Sequence, residues 1–172
     1  MGEPTEEFDD YDYEDKGGCH SRPFPRISTD CTLPSYVHLP ETQEPTIVEI
    51  VQDRRRLILY LLRFFGLRGE SHVVEQTRLD ILVLGRQLLG FTTVTPLAEG
   101  SPGQNGVRLD WIYVDEDHRG HKYSRKLWDY VLASNPSSTI TGKIIDQSGA
   151  VKHMAEKSGA IQTGQEEWKI ER

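Results

Sequence analysis

Apolar positions along this chain follow three successive rules. Before residue 46 they follow no period: Phe24, Ile27, Leu33, Tyr36 and Val37 are scattered among Pro23, Pro25, Pro34, Pro40 and Pro45. Proline removes a backbone donor and fixes φ, so regular structure is not expected there, although the apolar residues let the later part of the arm pack along a body. From Thr46 the spacing reads as helical. Thr46-Ile47-Val48-Glu49 has the form of a capping box after a proline, and Ile47, Ile50, Val51, Arg54, Ile58, Leu61 and Phe65 continue a helical repeat up to Gly66. The pattern predicts one long helix, or two short ones broken near Asp53, and then a connector from Gly69 to Gln76.

From Arg78 the period falls to two. Arg78 to Leu84 and Gln87 to Thr95 are β-rich runs joined at Gly85-Arg86, which predicts a hairpin. Leu97 to Gly106 is a Gly/Pro/Ser/Asn loop. Val107 to Val114 is a third strand; strict alternation puts Val107, Leu109, Trp111 and Tyr113 on one face and Arg108, Asp110, Ile112 and Val114 on the other. A polar turn, Asp115 to Gly120, leads to a helix from His121 to Ala133 with Leu127, Tyr130 and Val131 on one face, stopped by Asn135-Pro136. A strand from Thr139 to Ile145, a helix from Gln147 to Ser158 closed by Gly159, and one strand or short hairpin within Ala160 to Ile170 complete the chain. The predicted fold class is α/β: a mixed sheet with an antiparallel N-terminal half and a crossover C-terminal half, flanked by helices.

Composition divides the chain in the same place. Its 172 residues suit one domain with an extension, so residues 1–45 are read as an acidic, then Pro-rich arm and 46–172 as the domain. Of 27 acids eight lie within residues 1–15, leaving 19 against 20 Lys and Arg and a body near +1. The acidity therefore belongs to the tail, whose first fifteen residues are expected to be disordered. No apolar run is long enough to span a membrane, and the N-terminus has neither the basic nor the apolar region of a secretory signal. The two cysteines, Cys19 and Cys31, are too few for a disulfide scaffold or a Cys-rich zinc site; a single bond between them stays open, but they are read first as reduced thiols of a cytoplasmic protein.

The chemistry is concentrated in Leu109 to Trp128, where a strand, a tight turn containing Arg119-Gly120 and a helix follow one another. A helix N-terminus presents free N–H groups and a partial positive charge, and Arg119 and Lys122 add cations at the same end. A phosphate or diphosphate is the ligand this suits. Here the chain resembles the GCN5-related N-acetyltransferase (GNAT) family, whose element order matches residues 46–172. The family's acyl-CoA signature, Gln/Arg-x-x-Gly-x-Gly/Ala, usually lies in a Val-x-x-x-x-Arg-Gly-x-Gly-x-Gly segment. Val114, Arg119, Gly120 and the core Leu127 fall on that pattern, while Lys122 and Ser124 stand where glycine, or glycine or alanine, is usual. Glu156, Lys157 and Gly159 match a later segment ending Tyr-Glu-Lys-x-Gly-Phe, but Ala155 replaces its tyrosine, a common proton donor, and Ala160 its phenylalanine.

The resemblance implies an acyl-CoA-dependent N-acyltransferase, with acetyl-CoA or another short acyl-CoA as co-substrate, direct attack by an amine in a ternary complex, and no metal. It places the pantetheine along Ile112, Tyr113 and Val114 and the diphosphate on Arg119, Gly120, His121, Lys122, Tyr123 and Ser124. It makes Asp110 the candidate base and Tyr123 a substitute acid. The acceptor is a small-molecule or protein amine, attacking in a groove between the third and fourth strands of this half.

Other readings of the same residues stay open. His118 and His121 could share a metal, but no third ligand is spaced to join them, and a solvated turn accounts for both. Trp111 and Trp128 read as core or groove-wall aromatics. Arg54, Arg55 and Arg56 make the first helix basic and form an acceptor or partner surface; nucleic acid is permitted there but not indicated, and the acidic tail could lie over it. Apolar edge strands allow a homodimer. The departures at Lys122 and Ala155 support a rival of another class, a catalytically inactive GNAT-fold binding protein whose arm and basic helix contact a protein or nucleic acid.

Overall fold

The computed structural model describes residues 31, 33–97, 105–143 and 149–172. In chain order the described elements are β1 (Thr46–Ile50), α1 (Arg54–Phe64), β2 (Arg78–Leu84), β3 (Gln87–Pro96), β4 (Gly106–Val114), α2 (Tyr123–Ser134), β5 (Thr139–Lys143), α3 (Ala150–Lys157), β6 (Ile161–Gln162) and β7 (Glu167–Ile170). The strands form one mixed sheet in the order β1-β2-β3-β4-β5-β7-β6. The first four are antiparallel neighbours, β5 runs parallel to β4, and β5, β7 and β6 are again antiparallel. This is the α/β arrangement read from the sequence, with its crossover carried by α2.

One element differs in kind. Thr46–Ile50 is a strand, not the start of a helix. Four of its five residues are β-branched, which stiffens χ1 and favours the extended chain over the capping-box conformation. It pairs along its length with β2, from Thr46 opposite Val83 to Ile50 opposite Leu79. The helical repeat begins only at α1, after Asp53 turns the chain through a left-handed φ of 51°. Helix α2 begins two residues later than the periodicity suggests, at Tyr123 with Lys122 as its cap, and α3 at Ala150. The end of the hairpin strand extends to Pro96, and the last segment is a hairpin, β6–β7. The loop at 98–104, the tail expected to be disordered, Cys19, and Ile144 to Ser148 lie outside the described residues.

The sheet separates two apolar layers. On one face α1 buries Leu57, Ile58, Leu61 and Leu62 with Phe65, Phe91 and Tyr113, and the arm adds Cys31, Leu33 and Val37. The arm has no helix or strand among its described residues. It is held by Arg86, whose guanidinium donates to the carbonyls of Leu33 (3.1 Å) and Pro34 (2.9 Å). On the other face Trp128 and Val131 of α2 cluster with Leu109, Ile140, Trp168 and Ile170 and with Ala155 of α3, while Leu127 packs with Leu82 and Leu89. Gly142 allows this packing: a Cβ there would meet the Trp168 ring at 2.7 Å.

Candidate functional site

Strand β4 carries the site because its alternation breaks once. Trp111 lies opposite Thr93 and Leu109 opposite Val94, so Asp110 is an extra residue without a counterpart on β3. Such a bulge bends the strand and re-aims the side chains beyond it. The faces consequently exchange. Val107 and Leu109 pack on the α2 side, and so do Ile112 and Val114, while Trp111 and Tyr113 pack on the α1 side. This corrects the strict alternation expected for β4. Asp110 does not share a face with Ile112 and Val114. It bonds to the Thr95 hydroxyl, which in turn contacts the Thr77 hydroxyl at 2.9 Å, and it pairs with Arg108 at 2.5 Å.

The same bulge opens the sheet. β4 and β5 pair from Gly106 opposite Thr139 to Leu109 opposite Gly142, and there the pairing ends. Beyond it, Trp111 to Val114 have β3 on one side and no strand partner among the described residues on the other. A strand edge that continues beyond its neighbour's pairing can serve as a template for another extended chain.

This open edge leads directly to the N-terminus of α2. Asp115, 4% exposed, closes the strand as its N–H donates to the Leu89 carbonyl. Burial pushes its carboxyl above the usual range; the charge of Asp117 adds to this, while His118 and the amides of Asp117 and Glu116 oppose it. A 3-10 turn, Glu116–His118, is fixed by His118 Nε2 lying 3.0 Å from Gln87 Nε2, and Arg119 pairs loosely with Glu116 at 3.9 Å. Gly120 then takes φ of 84°, where a side chain is strained although the space beside it is open. His121 stacks on Tyr123 with centroids 5.4 Å apart, its Nδ1 3.1 Å from the Arg119 carbonyl oxygen. Lys122 takes φ of 59° and caps the helix with no side-chain bond to its N–H groups. A helix N-terminus with no side-chain cap has the donors that suit an anion.

The expected residues are thus brought together in part. Ile112, Tyr113 and Val114 lie on β4 beyond its described pairing with β5, and Arg119, Gly120, His121, Lys122, Tyr123 and Ser124 form the turn at its end. Asp110 and Tyr123 lie on opposite faces of the sheet, since Tyr123 packs beside Val114 and Leu127 on the α2 side. Arg54, Arg55 and Arg56 belong to α1 on the other face, where Arg54 donates to the Glu75 carbonyl at 2.5 Å and Arg56 lies 4.9 Å from the Tyr36 ring. Ala155 is 1% exposed within the core of α2 and α3.

One buried acid of the sheet was not singled out from the sequence. Asp80 on β2 is fully buried, paired with Arg78 at 2.9 Å and reached by the Tyr130 hydroxyl of α2 at 3.3 Å. Burial pushes its carboxyl up, Arg78 opposes that, Glu49 adds to it, and Tyr130 opposes it weakly. The Tyr130 bond ties the middle of α2 to the sheet. In sequence Asp80 was only a polar residue within an apolar strand, and that interruption was the available clue.

No family model and no curated protein matches the chain. Solved structures do. A protein from Desulfovibrio desulfuricans assigned to the GNAT family of acetyltransferases superposes with a TM-score of 0.56 at 9% identity, over 74% of this chain and 99% of that one. An acetyltransferase from Thermus thermophilus gives 0.53 at 14% identity, over 74% and 97%. A ribosomal-protein-alanine N-acetyltransferase from Brucella melitensis biovar Abortus 2308 gives 0.52 at 18% identity, over 71% and 96%. With the mixed sheet, the bulged β4 and its parting from β5, these likenesses show that the chain has the GNAT fold.

Proposed function

We propose that this protein is an acyl-CoA-dependent N-acyltransferase that uses acetyl-CoA or another short acyl-CoA on an amine acceptor. The observation that carries the reading is that β4 runs on from Trp111 to Val114 beyond its described pairing with β5, straight into the N-terminus of α2, which has no side-chain cap. The two features suit the two ends of one ligand. An extended, amide-bearing pantetheine can pair with the backbone of Ile112, Tyr113 and Val114, and a diphosphate can lie on the N–H groups from Arg119 to Ser124. The Arg119 and Lys122 side chains supply charge at the same end.

Acetyl-CoA, when bound, supplies an acyl carbonyl activated by its thioester. The chain's part is to orient it and to manage one proton. Direct attack by an amine needs no nucleophilic side chain, but the amine must first lose a proton. Asp110 is the candidate acceptor of that proton. Both its oxygens are engaged, by Thr95 and by Arg108, so it would act through a water or after one of these bonds is exchanged. Tyr123 is the weaker candidate, as donor to the departing thiolate; it lies on the other face of the sheet from Asp110, so a water would have to connect it to the reacting atoms.

A second reading has its own support. Lys122 holds a backbone conformation that glycine would adopt without strain, and Ala155 is sealed in the core where many relatives place the acid. A GNAT-fold binding protein that has lost turnover, with a protein or nucleic acid as its partner, would show both. A thiol-release assay with acetyl-CoA and a panel of amines and amine-bearing peptides separates the two. Acceptor-dependent release that falls by about 100-fold in Asp110→Asn supports catalysis with Asp110 as base. Acetyl-CoA binding without release for any amine supports the binding protein.

A further inference from the structure

Arg86 and the first three residues of β3 serve two neighbours by turns. Arg86 and Leu88 hold the arm: the Leu33 N–H donates to the Arg86 carbonyl at 3.4 Å, and the Leu88 N–H donates to the Cys31 carbonyl at 3.0 Å. The Arg86 guanidinium adds bonds to the carbonyls of Leu33, Pro34 and Val37 at 3.1, 2.9 and 3.4 Å. Gln87 and Leu89 hold the turn before α2. Gln87 Nε2 lies 3.0 Å from His118 Nε2, and the Leu89 carbonyl accepts from the Asp115 N–H at 2.9 Å. Arm and turn therefore hang on alternate residues of one short stretch.

That stretch needs support. Strand β4 accompanies β3 only as far as Val114 opposite Gly90. Nearer its start, β2 pairs with β3 through Val83 opposite Leu88 and Leu84 opposite Gln87, at the closed end of a hairpin and next to a register shift. A hairpin end bonded on one side opens at low cost. The arm supplies the second side, and it is itself anchored: Cys31, Leu33 and Val37 are buried in the core under α1. Arm and turn are also close to each other, since the Asp115 charge acts on the Cys31 thiol.

We propose that Arg86 is a positioning residue for the turn from Asp115 to Gly120. It clasps the arm, the arm braces the start of β3, and Gln87 and Leu89 carry that order to the turn. The arm is thus a latch on the candidate ligand site. Ligand held at the turn fastens the arm, and release of the arm loosens the turn, by the reciprocity of linked equilibria. The ligand half of this rests on the acyl-CoA reading; the coupling of arm and turn does not.

Amide hydrogen exchange in the full chain, read by NMR, tests this. The arm reporters are Leu33 and Val37, and the turn reporters are Asp115 and His118, whose N–H groups all donate within the structure. In the native chain arm and turn should open together, with protection below that of Ile81 and Leu82 in central β2. Arg86→Gln should speed both sets by roughly 10-fold, the loss expected for a charged hydrogen bond. Arg86→Lys, which keeps a cationic donor, should fall between. CoA at about 100 times its Kd should slow both sets alike, by roughly 100-fold, although only the turn would touch it. Native rates at Asp115 and His118 in Arg86→Gln, while Leu33 and Val37 speed up, overturn the proposal. So does turn protection equal to that of central β2, which would mean that the turn opens only with the whole fold. Slowing by CoA confined to the turn overturns it as well. If the native chain binds no CoA, the acyl-CoA reading fails, and the Arg86→Gln rates still decide the coupling.

Discussion

Among the described residues Leu109 is the last of β4 accompanied by β5, and the residue opposite it is Gly142. The pairing stops where the bulge at Asp110 turns β4 away, so the two strands part at a fixed place. Gly142 is needed there for packing: an added Cβ would lie 2.7 Å from the Trp168 ring and 3.3 Å from the Leu109 carbonyl oxygen. Replacing Gly142 with Val should displace Trp168 and shift the point of parting. The expected cost is about 2 kcal/mol, as for overpacked cores, read as a lower midpoint in urea denaturation. Unchanged stability would mean that β5 and β7 adjust without cost.

Lys122 holds a left-handed conformation that glycine adopts freely. For a side chain that conformation costs about 1 kcal/mol or more, partly offset by the extra freedom glycine loses on folding. Lys122→Gly should therefore leave thermal stability equal or slightly higher. It should also tighten CoA binding by several-fold, because the backbone can then approach the diphosphate. Lys122→Ile should lower stability by at least about 1 kcal/mol, since a β-branched side chain tolerates positive φ poorly. Calorimetry on the pair, with CoA titration, checks both. Weaker CoA binding in Lys122→Gly would assign the lysine ammonium itself to the ligand.

The buried Asp80 should give the protein a recognisable pH dependence. Burial raises its carboxyl above the ordinary value of 3.8, so the folded state holds the proton to higher pH than the unfolded state does. Between the two values the folded chain binds more protons, and this group's contribution to stability falls as pH rises. Asp115 has the same sign. In urea denaturation from pH 4 to 7, Asp80→Asn should gain stability relative to the native chain as pH increases, because asparagine has no charge to desolvate. Parallel curves for the two proteins would contradict this assignment.

Cys31 is 1% exposed, and burial, aided by the charge of Asp115, pushes its thiol up to about 11. At pH 8 the thiolate fraction is then about 100-fold below that of an ordinary cysteine, before access is counted. Alkylation by iodoacetamide, followed by mass spectrometry of the Cys31 peptide, should be at least about 100-fold slower in the native chain than in urea. Equal rates would mean that the arm leaves the α1 face readily.

Much of this fold was legible because its elements are locally consistent. The hairpin at Gly85-Arg86, the strand before Asp115, the helix containing Leu127 and Val131, and the Gly159 stop all have a local signal that the structure bears out. Thr46–Ile50 misled because its spacing suits a helix, while its β-branched residues pair with β2, and pairing across the sheet decided the outcome. The bulge at Asp110 was not legible at all. A single extra residue leaves no mark in a strand's composition, yet it reassigns every side chain after it. That is why the turn at Arg119-Gly120 could be located from sequence, whereas the surroundings of Asp110 required three-dimensional contacts with Thr95 and Arg108. Arg86 likewise read as a turn residue, and its bonds to the arm become visible only when distant carbonyls are brought beside it.

The central claim is that the open β4 edge and the N-terminus of α2 together hold an acyl-CoA. Isothermal titration with acetyl-CoA, with CoA in parallel, tests it most directly, using the native chain beside Gly120→Val. Gly120 has φ of 84°, so valine should strain the turn and close the anion site while leaving the core intact. Micromolar binding by the native chain, lost in Gly120→Val, is the expected result. No binding by the native chain at millimolar ligand, or equal binding by both proteins, would contradict the claim.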